Sequence, residues 1–263
     1  MKIALGVEYD GSRYSGWQQQ PHAPSVQEAV ERALARVADH PVNLVCAGRT
    51  DAGVHACNQV VHFETGSERR ERSWVLGCNS NLPDDININW ARSVDETFHA
   101  RFSATARSYR YVILNRWVRS ALEANRMTWV HQPLDEQRMQ RAARHLEGEH
   151  DFSSYRALAC QAKSPVRTVE YIRVERNGEL VTIDIKANAF LHHMVRNIAG
   201  VLVEIGKGEQ PEDWSREVLG YRDRALGGVT APPHGLYFLS AHYPDEYAIP
   251  ERQLWLEESS KDV

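Results

Sequence analysis

The sequence predicts an α+β fold with largely antiparallel strands, and two observations lead to it. Runs with strand alternation and runs with helical periodicity are mixed along the chain without a strict β-α-β rhythm. The stretch RTVEYIRVERNGELVTIDIKAN is two alternating runs around Asn177-Gly178, a pair suited to a type I′ turn, and a hairpin is antiparallel by construction.

Each element has its own signal. KIALGVEY (2–9) alternates loosely and reads as a strand, and DGSRYSGWQQQPHAPS after it is rich in turn formers. Ser25 is placed as a helix N-cap, with Glu28 three residues on as in a capping box. VQEAVERALARVA then carries apolar residues at helical spacing. VNLVCAG and NQVVHFET are strands joined through RTDAGVHA. ERRERSWVLGCNSNLP reads as a helix stopped before Pro83, and DININWARSV as a strand.

In the second half, SYRYVILN is a strand and DEQRMQRAARHLEG a helix with a glycine at its end. The hairpin comes next, then AFLHHMVRNIAGVLVEIG as an amphipathic helix over 190–206, and GLYFLSAHY as a closing strand. The expected domains are 1–105, 106–245 and an acidic tail, 246–263.

Composition bounds the function. The 263 residues suffice for a sizeable core, and 42% hydrophobic with 25% charged residues is ordinary for a soluble protein. No apolar run nears the ~20 residues that cross a bilayer, and the N-terminus turns polar too early for a signal peptide, so the expected location is cytoplasmic. Four irregularly spaced cysteines suggest free thiols rather than a zinc site or a disulfide framework. The net charge of −4 is uneven. Residues 245–263 hold six acids and two bases, whereas 101–126 hold six arginines against Glu123, interleaved with Tyr109, Tyr111 and Trp117. Basic residues among aromatics suit a polyanion with stackable bases, although a solvated arginine-rich face has the same composition.

Three residues stand out chemically. Asp51 lies in a glycine-bounded loop, AGRTDAGVHA, where it can act as nucleophile, base or ligand, or simply close an Asx turn. Arg196 sits in a helix of otherwise apolar character, either solvated at its rim or paired with a buried anion. Tyr109 shares a strand face with Tyr111, opposite Arg110 and Val112, and either stacks on a base or is half-buried in the sheet. His192 and His193, taken as adjacent helix positions, would point about 100° apart and not share a metal ion. No phosphate-loop or dinucleotide fingerprint is present.

Together the segments EYDGSRYSGWQQQ, AGRTDAGVHACNQVVHF, NSNLPDDI, FHARFSATARSYRYVI, GEHDFSSYR, NAFLHHMVRNIAGVL and GGVTAPPHGLYF occur in the order found in the TruA family of tRNA pseudouridine synthases. The resemblance runs from about residue 3 to about residue 243. It implies two ferredoxin-like halves with joined sheets and a central RNA-binding cleft, no metal and no organic cofactor, and a homodimer that takes the tRNA anticodon stem-loop as its partner. The implied reaction is isomerisation of uridine to pseudouridine at nucleotides 38, 39 and 40. By the same resemblance Asp51 is the nucleophile and Arg196 its ion-pair partner. Tyr109 packs on the target base and is a candidate for taking the C5 proton. Arg49 faces the RNA, and Arg107, Arg110 and His55 are further substrate-binding candidates. The C1′–N1 bond breaks and C1′–C5 forms with nothing oxidised, which is consistent with cofactor-free chemistry. Attack at C1′, attack at C6 and a glycal route all remain open to the carboxylate. The competing readings are a non-catalytic RNA binder on the same scaffold and a nucleosidase with an aspartyl nucleophile.

Overall fold

The computed structural model describes residues 1–250; the greater part of the acidic tail lies outside the described residues. The chain divides into two compact units. One is Met1–Thr105 with residues 238–250, and the other is Ala106–Tyr237.

The first unit runs β1 (Lys2–Tyr9), α1 (Val26–Ala38), β2 (Val45–Cys46), β3 (His55–Glu64), α2 (Glu71–Asn79) and β4 (Ile86–Val94). β1 lies between β4 and β3, antiparallel to both, and β2 pairs antiparallel with β3. This order is that of a ferredoxin-like β-α-β-β-α-β unit. β1 and β3 are buried on both faces, with Ile3, Leu5, Val7, Val60, Val61 and Phe63 at 0–1% exposure. Ser25 caps α1 by accepting from the Glu28 N–H at 3.3 Å. The Glu28 carboxylate instead takes Arg32 at 2.7 Å, so only half of the expected capping box forms. β2 is shorter than VNLVCAG suggests because the Leu44 N–H turns to the Glu31 carboxylate, 2.9 Å away. β3 begins at His55, earlier than expected, and α2 at Glu71, later than expected.

The second unit runs β5 (Ala106–Asn115), β6 (Thr128–Val130), α3 (Glu136–Arg144), β7 (Gly148–Asp151), β8 (Val166–Asn177), β9 (Leu180–Ala187), α4 (Met194–Gly206) and α5 (Trp214–Tyr221). The antiparallel order is β5-β9-β8-β7, with β6 parallel to β5. The run β5, α3, β8, β9, α4 repeats the first five elements of the ferredoxin-like sequence. In the hairpin Asn177 pairs with Leu180, which makes Gly178 and Glu179 the two loop residues. Gly178 has φ +59° and Glu179 is not left-handed, so the φ pattern is that of a type II′ turn rather than the expected I′. α3 ends at Arg144 and Gly148 opens β7 instead of capping the helix. α4 begins at Met194, not at residue 190, because His193 is left-handed at φ +62°.

β10 (Leu236–His242) lies beside β3. The expected second domain, 106–245, therefore ends earlier, at Tyr237. The chain beyond Tyr237 is tied to the first unit: Thr105 N–H donates to the His242 carbonyl at 2.8 Å, and the Tyr243 hydroxyl to the Ala100 carbonyl at 2.6 Å. None of the four cysteines forms a disulfide, and among the described residues no helix is long and apolar enough to cross a membrane.

His62 on β3 is a buried titratable group that the fold holds neutral. It is 5% exposed and its Nδ1 accepts the Ala100 N–H at 3.1 Å. Burial, with His99 and Lys2 nearby, pushes its pKa down to about 4. The unfolded chain then binds the extra proton first, so stability is full above about pH 6.5 and is lost as pH falls through about 4. Chemical denaturation between pH 7 and 4 should show His62→Asn losing less stability than the wild type, by on the order of 2 kcal/mol.

Candidate active site

The loop between β2 and β3 is held from three sides. At its start, Ala47 N–H donates to the Val60 carbonyl at 2.8 Å. The buried Gln59 side chain brackets Gly48, donating to its carbonyl at 2.5 Å and accepting its N–H at 3.4 Å. In the middle, the Thr50 hydroxyl and the Tyr9 hydroxyl are 2.7 Å apart, and the Thr50 carbonyl accepts the Trp17 N–H at 3.0 Å. At its end, Gly53 N–H donates to the Tyr14 carbonyl at 3.3 Å and Val54 N–H to the Asp51 carbonyl at 3.1 Å. Burial raises the Tyr9 phenol above its usual pKa, so it stays a protonated partner for Thr50. Asp51 itself is half-buried at the turn.

Two glycines outside the motif permit this arrangement. A Cβ on Gly16, which has φ +97°, would lie 2.7 Å from the Thr50 carbonyl oxygen and 3.1 Å from the Asp51 carbonyl carbon. One on Gly11 would lie 2.0 Å from the Val54 carbonyl oxygen. Sequence reasoning gave DGSRYSG no task beyond a loop. Its signal was the glycine pair itself, which marks close backbone approach.

The other candidates of the first unit divide in character. Arg49 is exposed. Burial pushes the Cys46 thiol up to about 11, and the charges of Arg49 and Arg101 oppose that rise, which places both guanidiniums within electrostatic reach of it. His55 is 2% exposed at the foot of β3. The Gly11 N–H donates to its Nδ1 at 3.1 Å, so this nitrogen carries no proton while that bond holds. The Asp10 carboxylate lies 3.2 Å from the same nitrogen, a contact that becomes attractive only on protonation. The Gly11 bond fits the buried setting better, and it makes His55 a brace between β3 and the 10–17 loop.

In the second unit, Arg107, Tyr109 and Arg110 lie close together along β5. Arg107 donates to the Asn188 carbonyl at 3.1 Å. Tyr109 is 9% exposed, with its ring edge-on to Phe190 at 5.0 Å. Arg110 is 8% exposed and grips Asp184, its cross-strand neighbour on β9, with two bonds of 2.6 Å. Tyr111 is fully buried, its hydroxyl 2.6 Å from Thr128 and 2.9 Å from the Pro232 carbonyl.

Arg196 lies in the first turn of α4 and is half-buried. Its Nε donates to the Ala231 carbonyl at 2.8 Å, while Ala231 N–H donates back to the Arg196 carbonyl at 3.0 Å. The same segment of chain is stitched along the helix. Thr230 donates to Asn197 at 2.7 Å, and Arg224 reaches both Thr230 at 2.8 Å and the Gly228 carbonyl at 2.9 Å. Gly200 allows this contact, since a Cβ there would fall 1.8 Å from the Val229 carbonyl oxygen. GGVTA thus fixes Arg196, a part that its sequence did not announce. His192 and His193 precede the helix with ring centroids 4.1 Å apart, so the expectation drawn from helix spacing does not apply to them.

The first unit therefore offers a carboxylate on a rigid turn. The second offers an anchored guanidinium and an aromatic ring on a basic strand. Comparison with known proteins gives these groups a setting. The model of the tRNA pseudouridine synthase family matches residues 6–103 and 142–244, which include Arg49, Asp51, His55 and Arg196 but not 107–110. A protein of Pseudomonas aeruginosa named tRNA pseudouridine synthase A is 59% identical over 254 residues, 96% of this chain and 89% of that one. Proteins of the same name from Nitrosococcus oceani and Methylococcus capsulatus are 60% and 58% identical, over 95% of this chain and 96% and 92% of theirs. The chain belongs to the tRNA pseudouridine synthase family and is an isomerase that converts uridine in tRNA to pseudouridine.

Proposed function

We propose that the protein isomerises uridines 38, 39 and 40 of the tRNA anticodon stem-loop, with Asp51 as the nucleophile. The observation that carries the reading is the Asp51 turn. Its neighbours on both sides are pinned by Tyr9, Trp17, Tyr14 and Gln59, while Asp51 itself stays half-buried. A loop that only reverses direction has no need of three separate anchors. A carboxylate that must meet one atom of the target nucleotide does, because catalysis depends on placement.

The chemistry is set by the bond changes. The target nucleotide is extruded from the stem, at a cost of a few kcal/mol. Arg49 and Arg107 contribute phosphate contacts that offset this cost. The Asp51 carboxylate bonds to the nucleotide, at C1′ or at C6, and the C1′–N1 bond breaks with its electron pair staying on the uracil; the bond to Asp51 breaks again before the product forms, which returns the carboxylate. The freed base turns in the site and C5 bonds to C1′. The C5 proton is then removed, with Tyr109 beside the base, and N1 ends protonated, so the product is an isomer of the substrate. In this reading Arg196 is the ion-pair partner of Asp51 and orients its carboxylate. In this reading Arg110, held by Asp184 through two bonds, serves strand register more than RNA contact, and His55 serves as a brace of the loop. The enzyme acts in the cytoplasm as a homodimer.

Tritium release from tRNA carrying 5-tritiated uridine tests the nucleophile. Asp51→Ala should lower release by on the order of 10³-fold or more while tRNA still binds; turnover near the wild-type rate rules the assignment out. Arg196→Ala should cut kcat about a hundredfold with a smaller change in KM. Arg110→Ala should cost about 3 kcal/mol of stability by stranding Asp184, and Arg110→Met with Asp184→Leu should recover most of it. A loss of tRNA affinity without a loss of stability would return Arg110 to the RNA surface.

A further inference from the structure

The connection between β5 and β6, residues 116–127, is an ordered strap that presents apolar groups to solvent. Trp117 is 81% exposed, Val118 57% and Leu122 91%, and Trp129, just inside β6, is 42% exposed. Burying such surface is the usual fate of a tryptophan, so its display calls for a reason. The strap is shaped by its own hydrogen bonds. Arg116 donates through Nε to the Val118 carbonyl at 2.8 Å, and Trp129 Nε1 donates to the Arg116 carbonyl at 2.9 Å. Ser120 accepts the Glu123 N–H at 3.2 Å, and the Glu123 carbonyl accepts the Arg126 and Met127 N–H groups at 3.0 and 3.2 Å.

Charge identifies the partner. The strap holds Arg116, Arg119 and Arg126 against one acid, Glu123, and Arg119 and Arg126 are exposed. Arg116 is already engaged by Glu179 at 3.2 Å. A second copy of this chain seated symmetrically here would set these cations against themselves. A polyanion with flat apolar faces suits both features, since indole stacks on bases and guanidinium meets phosphate. Stacking needs an open base face, which a duplex hides and a loop offers.

We propose that the 116–127 strap is a second contact for the tRNA, in which Trp117 stacks on an unpaired base other than the reacting uridine and Arg119 and Arg126 meet the flanking phosphates. This rests on tRNA being the substrate and adds a positioning surface on the second unit. The strap holds none of the proposed catalytic residues, so the effect belongs in binding and KM rather than in kcat.

The test uses the full chain and an unmodified tRNA transcript. Trp117→Ala should raise both Kd and KM about tenfold or more, with kcat within about twofold of wild type, and Trp117→Phe should recover most of the affinity. Arg119→Gln with Arg126→Gln should flatten the slope of log Kd against log salt by about 1 to 2. The proposal fails if Trp117→Ala binds tRNA like the wild type. It also fails if the affinity loss accompanies dissociation of the RNA-free protein in sedimentation equilibrium, which would make the strap a contact between copies. A wild-type protein that binds tRNA through Trp117 but leaves nucleotides 38, 39 and 40 unmodified upholds the strap and removes the proposed target. Absence of tRNA binding by the wild type ends both.

Discussion

Gly16 passes so close to Thr50 and Asp51 that no side chain fits between them, and the site depends on this approach. It lets Trp17 donate to the Thr50 carbonyl, and Tyr9 closes the same residue from the sheet side. A β-carbon at residue 16 would push the 10–17 loop away from the motif and release two of the three anchors. The acidic turn is thus a property of two loops packed backbone to backbone. The second unit uses the same device. At Gly200 a missing side chain lets the 228–231 segment lie along α4, and the Ala231 carbonyl then fixes the guanidinium of Arg196 from one side.

Much of the fold was legible because most elements obey a local rule. β1, α1, β4 and β10 appear where alternation, periodicity and capping put them, to within a residue or two at the ends. The departures are equally physical. β2 shrank because Glu31 captured a backbone N–H that a longer strand would have used. α4 lost its first turn to a left-handed His193. β7 and α5 went unread: β7 has four residues of polar and small type, and α5 is only two turns long. The ending of the second unit was misplaced because strand pairing across a long separation leaves no mark on the nearby sequence.

The site was legible in a different way. Asp51, Arg196 and Tyr109 were singled out by odd chemistry, a charge in a turn, a charge in an apolar helix and a ring on a basic strand. Composition left each with a structural explanation as good as a catalytic one, and only the ordered set of motifs raised them together. Their supports were not foreseen. Tyr9, Trp17, Gln59 and the GGVTA segment act through backbone atoms and buried hydrogen bonds, which no local pattern spells out. Arg110 shows the converse. It shares a basic strand with Arg107, yet a cross-strand aspartate 74 residues away claims its guanidinium.

The return of residues 238–250 to the first unit has a consequence for how the protein is made. On a ribosome the first unit emerges without the strand that will lie beside β3. Between Glu64, the end of β3, and Leu236, the start of β10, lie about 170 residues, on the order of ten to thirty seconds of synthesis. Through that interval part of an apolar, doubly buried strand has an open edge, and open edges invite pairing with other chains. The nascent chain therefore carries this hazard from the time β3 is made until β10, the last strand among the described residues, covers the edge.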